Sequence, residues 1–319
     1  MWKYIGKKET NEFLLSLNLI DKETNDIEEL KELYNISNNI EQYYKVFKIP
    51  KRNGSFRTIY APSKTLKIIE RNILKNILNN KSISKYAKAY HKGITLIDNA
   101  SPHINKEIVL KLDIKNFFDN IDFLKVYNSC FSIEYFPASV GMILTYLCTY
   151  NDFLPQGSPT SAYISNLIMK DFDEELGAFC NKLNISYTRY SDDLTFSGSF
   201  DVSNLILVVK KMLSKMNLEL NKEKIHVIRN NNKQNVTGVI VNKKLRVDNS
   251  YRKSIRQEMY YINKFGLTSH LFKINYQQKP LIYINNLLGR ILFVLQINNE
   301  DKEFIKYKKE VLKLKKCTF

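Results

Sequence analysis

Apolar positions along the chain fall into helical and strand-like periods. Leu66, Ile69, Ile73 and Ile77 recur at helical spacing and predict a helix over Thr65 to Leu78. A second amphipathic run, Val202 to Met216, places Leu205, Val208, Val209, Met212 and Leu213 on one face. Asn25-Asp26 opens a further helix with Ile27, Leu30 and Leu33 inward, within a helical N-terminal extension over 1–45. Ser139 to Tyr150 is apolar and reads as a buried helix. A helix from Ser161 to Leu176 follows the breaker Pro155-Gln156-Gly157-Ser158-Pro159, and the chain beyond Ser250 is helical. Strand signals lie between these. Val46 to Pro62 is a hairpin around Asn53-Gly54. Glu107 to Leu112 is an apolar strand ending at Asp113, and Tyr187 to Gly198 is a hairpin turning at Ser191-Asp192-Asp193. Val236 to Ile240 opens another hairpin that returns near Leu245–Val247.

Charge changes the picture more than composition does. A hydrophobic content of 44% is ordinary for a globular chain of 319 residues, but the formal charge is +17. Solubility needs far less, so a polyanionic partner is expected, nucleic acid before membrane. The excess is uneven. Residues 1–40 carry five Lys and eight acidic residues, whereas 243–319 carry 17 Lys and Arg against six acidic residues. The basic helical segment over 248–319 is therefore the expected nucleic-acid contact, with Arg252, Lys253 and Arg256 clustered on it and Tyr260 and Tyr261 interleaved. Cys130, Cys148, Cys180 and Cys317 lack metal-ligand spacing and read as reduced thiols. No apolar run approaches the ~18 residues of a membrane span, and no secretory signal precedes the chain. A cytoplasmic location follows as an expectation.

Adjacent carboxylates in a tight turn repel, and a hard divalent cation offsets that repulsion. Two strands can bring Asp113 beside Asp192 and Asp193 at one sheet edge. Three carboxylates there suit two Mg²⁺ ions roughly 4 Å apart, as in phosphoryl transfer.

These residues also carry a resemblance. Tyr190-Ser191-Asp192-Asp193 resembles the Tyr-x-Asp-Asp box of reverse transcriptases. Leu110 to Phe118 resembles the strand with their first catalytic aspartate, and Leu154 through Asn166 resembles their Pro-Gln-Gly box. Asn99-Ala100-Ser101-Pro102-His103 and Val236-Thr237-Gly238 resemble two motifs of the retron branch. The resemblance implies an α+β right-hand polymerase: fingers and a mainly antiparallel palm sheet interleaved over 46–247, and a thumb over 248–319.

It also implies roles. Asp113, Asp192, Asp193 and the Ile114 carbonyl would be metal ligands. Arg57, with either Lys51 or Arg52, would hold the triphosphate. Phe118 would exclude a 2′-hydroxyl, Gln156 would pack on sugar and base, and Lys224 would protonate pyrophosphate. The expected reaction is RNA-templated DNA synthesis from deoxynucleoside triphosphates. For the retron branch the template and primer are one cognate structured RNA, started from a guanosine 2′-hydroxyl and ending as a branched RNA–DNA hybrid. An effector protein and a role in bacterial defence against phage are implied with it. The rivals are a compact intron-type or diversity-generating reverse transcriptase, and a non-catalytic RNA-binding scaffold.

Overall fold

The computed structural model describes residues 5–20, 25–51 and 54–317. Arg52 and Asn53, named above in the hairpin turn, lie outside the described residues. In chain order the elements are α1 (Lys7–Ser16), α2 (Asp26–Asn38), β1 (Tyr44–Pro50), β2 (Phe56–Pro62), α3 (Lys64–Asn76), α4 (Leu96–Ala100), β3 (Ile108–Asp113), α5 (Phe123–Val126) and α6 (Ala138–Cys148). There follow α7 (Ser161–Ile168), α8 (Lys170–Lys182), β4 (Ser186–Tyr190), β5 (Asp193–Gly198), α9 (Val202–Ser214), β6 (His226–Arg229), β7 (Asn235–Val236), β8 (Val239–Ile240) and β9 (Arg246–Val247). Four helices close the chain: α10 (Asn249–Phe265), α11 (Leu267–Lys273), α12 (Pro280–Ile297) and α13 (Lys302–Cys317).

The strands form three sheets: the pair β1–β2, a four-stranded sheet in the order β4–β5–β3–β6, and β7–β8–β9. The first and third are antiparallel. A two-residue connection between neighbours makes β4–β5 a hairpin as well. The chain folds into two compact units. One comprises residues 1–94, 110–195 and 200–226; the other comprises 95–109, 196–199 and 227–319.

In the first unit, Leu66, Ile69 and Ile73 of α3 are buried, as their spacing predicts, and the Ser63 side chain caps the helix by accepting from Leu66 N. Asn25 caps α2 in the same manner. The inward face of α2 differs from expectation, however. Glu29, Leu33 and Ile36 are buried there, while Ile27 is 65% exposed. Ile27 sits in the open first turn, and the 3.6-residue period starting at Leu33 reaches Glu29 rather than Ile27. The helix expected from Ser161 to Leu176 is two helices, because the backbone at the buried Met169 (φ −83°, ψ 2°) leaves helical geometry.

In the second unit, Ile255, Met259 and Ile262 of α10 pack with Ile284, Leu287 and Ile291 of α12 and Phe304 and Val311 of α13. Helix α12 corrects one expectation. It has 18 residues at a mean hydropathy of 1.4, long and apolar enough by those measures to cross a membrane. Asn285, Asn286 and Arg290 interrupt it, so no unbroken apolar run shows in the sequence. Its inner face supplies the core of this unit, and Arg290 pairs with Glu258 of α10 at 2.7 Å.

Candidate active site

Asp113 ends β3, and Asp192 and Asp193 sit where β4 turns into β5. A backbone bond from Ile114 N to the Asp192 carbonyl (3.0 Å) brings the two segments side by side. The turn uses Ser191 in the left-handed region, at φ +62°. Asp113 and Asp192 line an open cleft of about 550 Å³ together with Ile114, Phe118, Gln156, Lys224, Lys51 and Arg57. Asp193, the residue after Asp192, is half-buried and opens β5.

The carboxylates feel one another. Burial raises the Asp192 pKa above its ordinary value, and the Asp113 charge raises it further. Asp193 is raised by burial and by Asp192. Lys224 lies on a short 3-10 turn whose N-cap, Asn221, donates its backbone N–H to the Asp113 carbonyl. Its ammonium donates to Asp113 Oδ2 at 2.7 Å. Burial alone would depress the lysine, but the bond to Asp113 and the three aspartate charges outweigh it and hold its pKa above the usual range.

Among the described residues, no three Asp, Glu, His or Cys side chains converge closely enough to hold an ion unaided. The donor set fits a different kind of site. Two mutually repelling carboxylates on an open cleft suit a hard cation that completes its shell with substrate phosphate and water, as Mg²⁺ does.

The β1–β2 hairpin forms one wall. Its register pairs Ile49 with Arg57, and Lys51 follows β1 directly. The Arg57 charge reaches Asp192, and the Lys51 charge reaches Asp119 on the same cleft. The Gln156–Gly157 loop is fastened to β2 by a bond from Tyr60 N to the Gln156 carbonyl (2.9 Å). Gly157 is required there: its φ is +129°, and a Cβ would meet the Tyr60 carbonyl oxygen at 2.6 Å. Phe117 is buried, with Phe118 edge-on to it at 5.4 Å.

The two retron-like motifs meet inside the second unit. Asn99 donates to Thr237 Oγ1 at 3.3 Å, and Thr237 and Gly238 both have positive φ. Val236 joins Ala100 in a small core. His103 is buried, and its Nδ1 lies 2.7 Å from Ser197 Oγ. Burial pushes its pKa down to about 3, so the ring is neutral. The motif residues thus hydrogen-bond and pack within this unit. Elsewhere in this unit, Arg252 pairs with Asp301 (2.6 Å) and Arg256 with Glu303 (2.6 Å), whereas Lys253 is exposed.

Sequence reasoning passed over Tyr90 and Asp119, which line the cleft, and the buried Arg189 beneath the turn. The one signal for Arg189 was a lone cation in a β-prone run.

An acidic turn and strand end, a lysine and a basic hairpin meet around one cleft, an arrangement suited to phosphoryl transfer. Residues 49–241 match the family described as reverse transcriptase (RNA-dependent DNA polymerase). The retron Ec83 reverse transcriptase of Escherichia coli is 33% identical over 269 residues, which cover 80% of this chain and 83% of that protein. The retron Mx65 reverse transcriptase of Myxococcus xanthus is 31% identical over 241 residues, 69% of this chain but only 56% of that protein. Among solved structures, apo telomerase from Candida tropicalis superposes with a TM-score of 0.49 at 13% identity, over 85% of this chain and 58% of that one. The chain belongs to the reverse transcriptase family, the RNA-directed DNA polymerases, and within it to the retron branch.

Proposed function

We propose that this protein copies a cognate structured non-coding RNA into DNA, using deoxynucleoside triphosphates. The observation that carries the reading is the gathering of Asp113, Asp192, Lys224 and the hairpin cations on one cleft. In this reading a primer hydroxyl attacks the α-phosphorus in line and pyrophosphate leaves. Asp113 and Asp192, with the Ile114 carbonyl and Asp193 beside them, would hold two Mg²⁺ ions together with substrate phosphate. Such ions would supply Lewis acidity toward the attacking hydroxyl and the leaving pyrophosphate. Arg57 grips the triphosphate in two-pronged fashion, with Lys51 beside it. Gln156 packs on the sugar and base, Phe118 closes the space a 2′-hydroxyl would need, and Lys224 delivers a proton to pyrophosphate.

Residues 46–247 serve as fingers and palm and 248–319 as the thumb, with 1–45 an added helical extension. The thumb meets RNA and the DNA product through Lys253, with Arg252 and Arg256 released from Asp301 and Glu303 or bridging to phosphate. Priming from a guanosine 2′-hydroxyl, in the bacterial cytoplasm, is part of the same reading. A branched RNA–DNA product and an effector protein acting with it against phage belong to the same reading.

Primer extension on an RNA template with Mg²⁺ tests it. Asp193→Asn should melt near the wild-type temperature and bind RNA equally, yet lose synthesis by at least about 10³-fold. Undiminished extension by that variant contradicts the assignment. For the retron step, nucleic acid bound to the protein from its host should contain short DNA joined 2′–5′ to RNA. Bound intron lariat in its place would reverse that part.

A further inference from the structure

Arg189, on β4, is among the largest side chains in the protein with no solvent exposure, and the reaction outlined above gives it nothing to do. One edge of its guanidinium faces Asp173 on α8. Nε donates at 2.9 and 3.1 Å and Nη2 at 2.6 Å, while the Tyr187 hydroxyl also donates to Asp173 at 2.7 Å. The remaining nitrogen, Nη1, turns to two neutral acceptors: the Ser191 carbonyl at 3.1 Å and Asn166 Oδ1 at 3.0 Å. Asn166, on α7, is itself fully buried and donates to the Ala89 carbonyl at 2.8 Å. The backbone of Arg189 holds the same segment, accepting from Lys88 N at 2.7 Å and donating to the Tyr86 carbonyl at 2.8 Å. Tyr90, next along, lines the cleft.

Two physical points separate this network from ordinary core packing. A buried ion pair is weak as a stabiliser, since apolar residues of similar volume do as well or better. Stability alone does not explain a charge placed here. Ser191, meanwhile, adopts a left-handed conformation that is strained for a residue with a Cβ. Its carbonyl is buried and takes a charge-assisted bond from the one guanidinium nitrogen that Asp173 leaves over. A lysine could satisfy Asp173 but has no fixed fork with which to reach the turn as well.

We propose that Arg189, oriented by Asp173 and Asn166, is a positioning residue: it locks the Ser191 turn so that the Asp192 and Asp193 carboxylates stand at the cleft in a single geometry. The role rests on the polymerase reading of that cleft. Displacing reacting groups by about 1 Å costs on the order of 10²-fold in rate.

Two variants test it. Arg189→Lys keeps a cation for Asp173. The triple variant Tyr187→Phe, Arg189→Met, Asp173→Leu removes both charges and the orphaned hydroxyl, and takes the Nη1 donor away from Asn166 Oδ1 and the Ser191 carbonyl. Each is measured by thermal melting, by single-nucleotide incorporation and by hydrogen exchange of the Tyr190–Leu194 amides. The expected result is a kcat about 10²-fold lower in both, with KM for the nucleotide within about 3-fold of wild type. Exchange at the turn should quicken while the rest of the first unit keeps its protection. A variant of either kind that melts like wild type and retains wild-type kcat and turn protection overturns the proposal. If the wild type itself makes no DNA, the polymerase reading fails. Exchange at the turn then still decides whether Arg189 fixes it.

Discussion

Asp113 shares its Oδ2 with the Lys224 ammonium at 2.7 Å, and Asp192 and Asp193 are each pushed toward the neutral form by burial and by a neighbouring aspartate. At the scale of single residues, then, the site is a concentration of negative charge that Lys224, Arg57 and Lys111 only partly offset. Phe118 makes the most specific residue-level prediction. It lines the cleft with Phe117 behind it as a buried buttress, so its ring has little freedom to swing aside. Phe118→Ala should raise incorporation of ribonucleotides relative to deoxynucleotides by about tenfold or more. Competition between the two triphosphates in primer extension reads this directly, and an unchanged ratio would place the selection elsewhere. The three aspartates, Gln156 and Lys224 were legible as types at motif spacings. Arg189 and Asn166 were not, because their importance lies in which carbonyl each one faces, and no sequence pattern encodes that.

Whole elements followed the sequence where local chemistry was strong. Asn25 as a helix start and the apolar spacing of α3 were legible before any tertiary contact was considered, and the structure adds the Ser63 cap. Departures came at Ile27, which the helical period from Leu33 leaves outside the buried face, and at Met169, where the backbone leaves helical geometry before α8. One contact between elements gives a pH prediction. Tyr44 of β1 donates to Glu70 of α3 at 2.7 Å. Burial raises the Glu70 pKa to about 8, although the Tyr44 bond opposes it. The folded protein therefore keeps a proton there that the unfolded chain, with an ordinary glutamate near 4.5, releases. Stability from this residue is complete below pH 4.5 and declines as pH rises toward about 8, by a few kcal/mol at most. Glu70→Gln should flatten that decline. Melting temperatures measured from pH 5 to 9 for both proteins test it, and parallel curves would contradict the assigned cause.

For the molecule as a whole, composition foretold a polyanionic partner but not how the basic residues are deployed. The segment 243–319 carries 17 Lys and Arg against six acidic residues, yet Arg252, Arg256 and Arg290 are spent on Asp301, Glu303 and Glu258 within the second unit. That pairing depends on how α10, α12 and α13 pack, which the order of charges along the chain does not reveal. Lysines carry much of the remaining field, and lysine contacts to phosphate are strongly screened. Binding of a structured RNA should weaken by about 10³-fold between 50 and 200 mM salt. A nearly flat dependence would point to contacts that are not electrostatic.

The most direct test of the central claim is the anomalous diffraction of Mn²⁺ in a crystal of the protein with primed RNA and a non-reacting deoxynucleotide. The account predicts two peaks within ~2.3 Å of oxygens contributed by Asp113 and Asp192 and by the triphosphate. Triphosphate bound in the cleft with no metal peak beside those two carboxylates would contradict it.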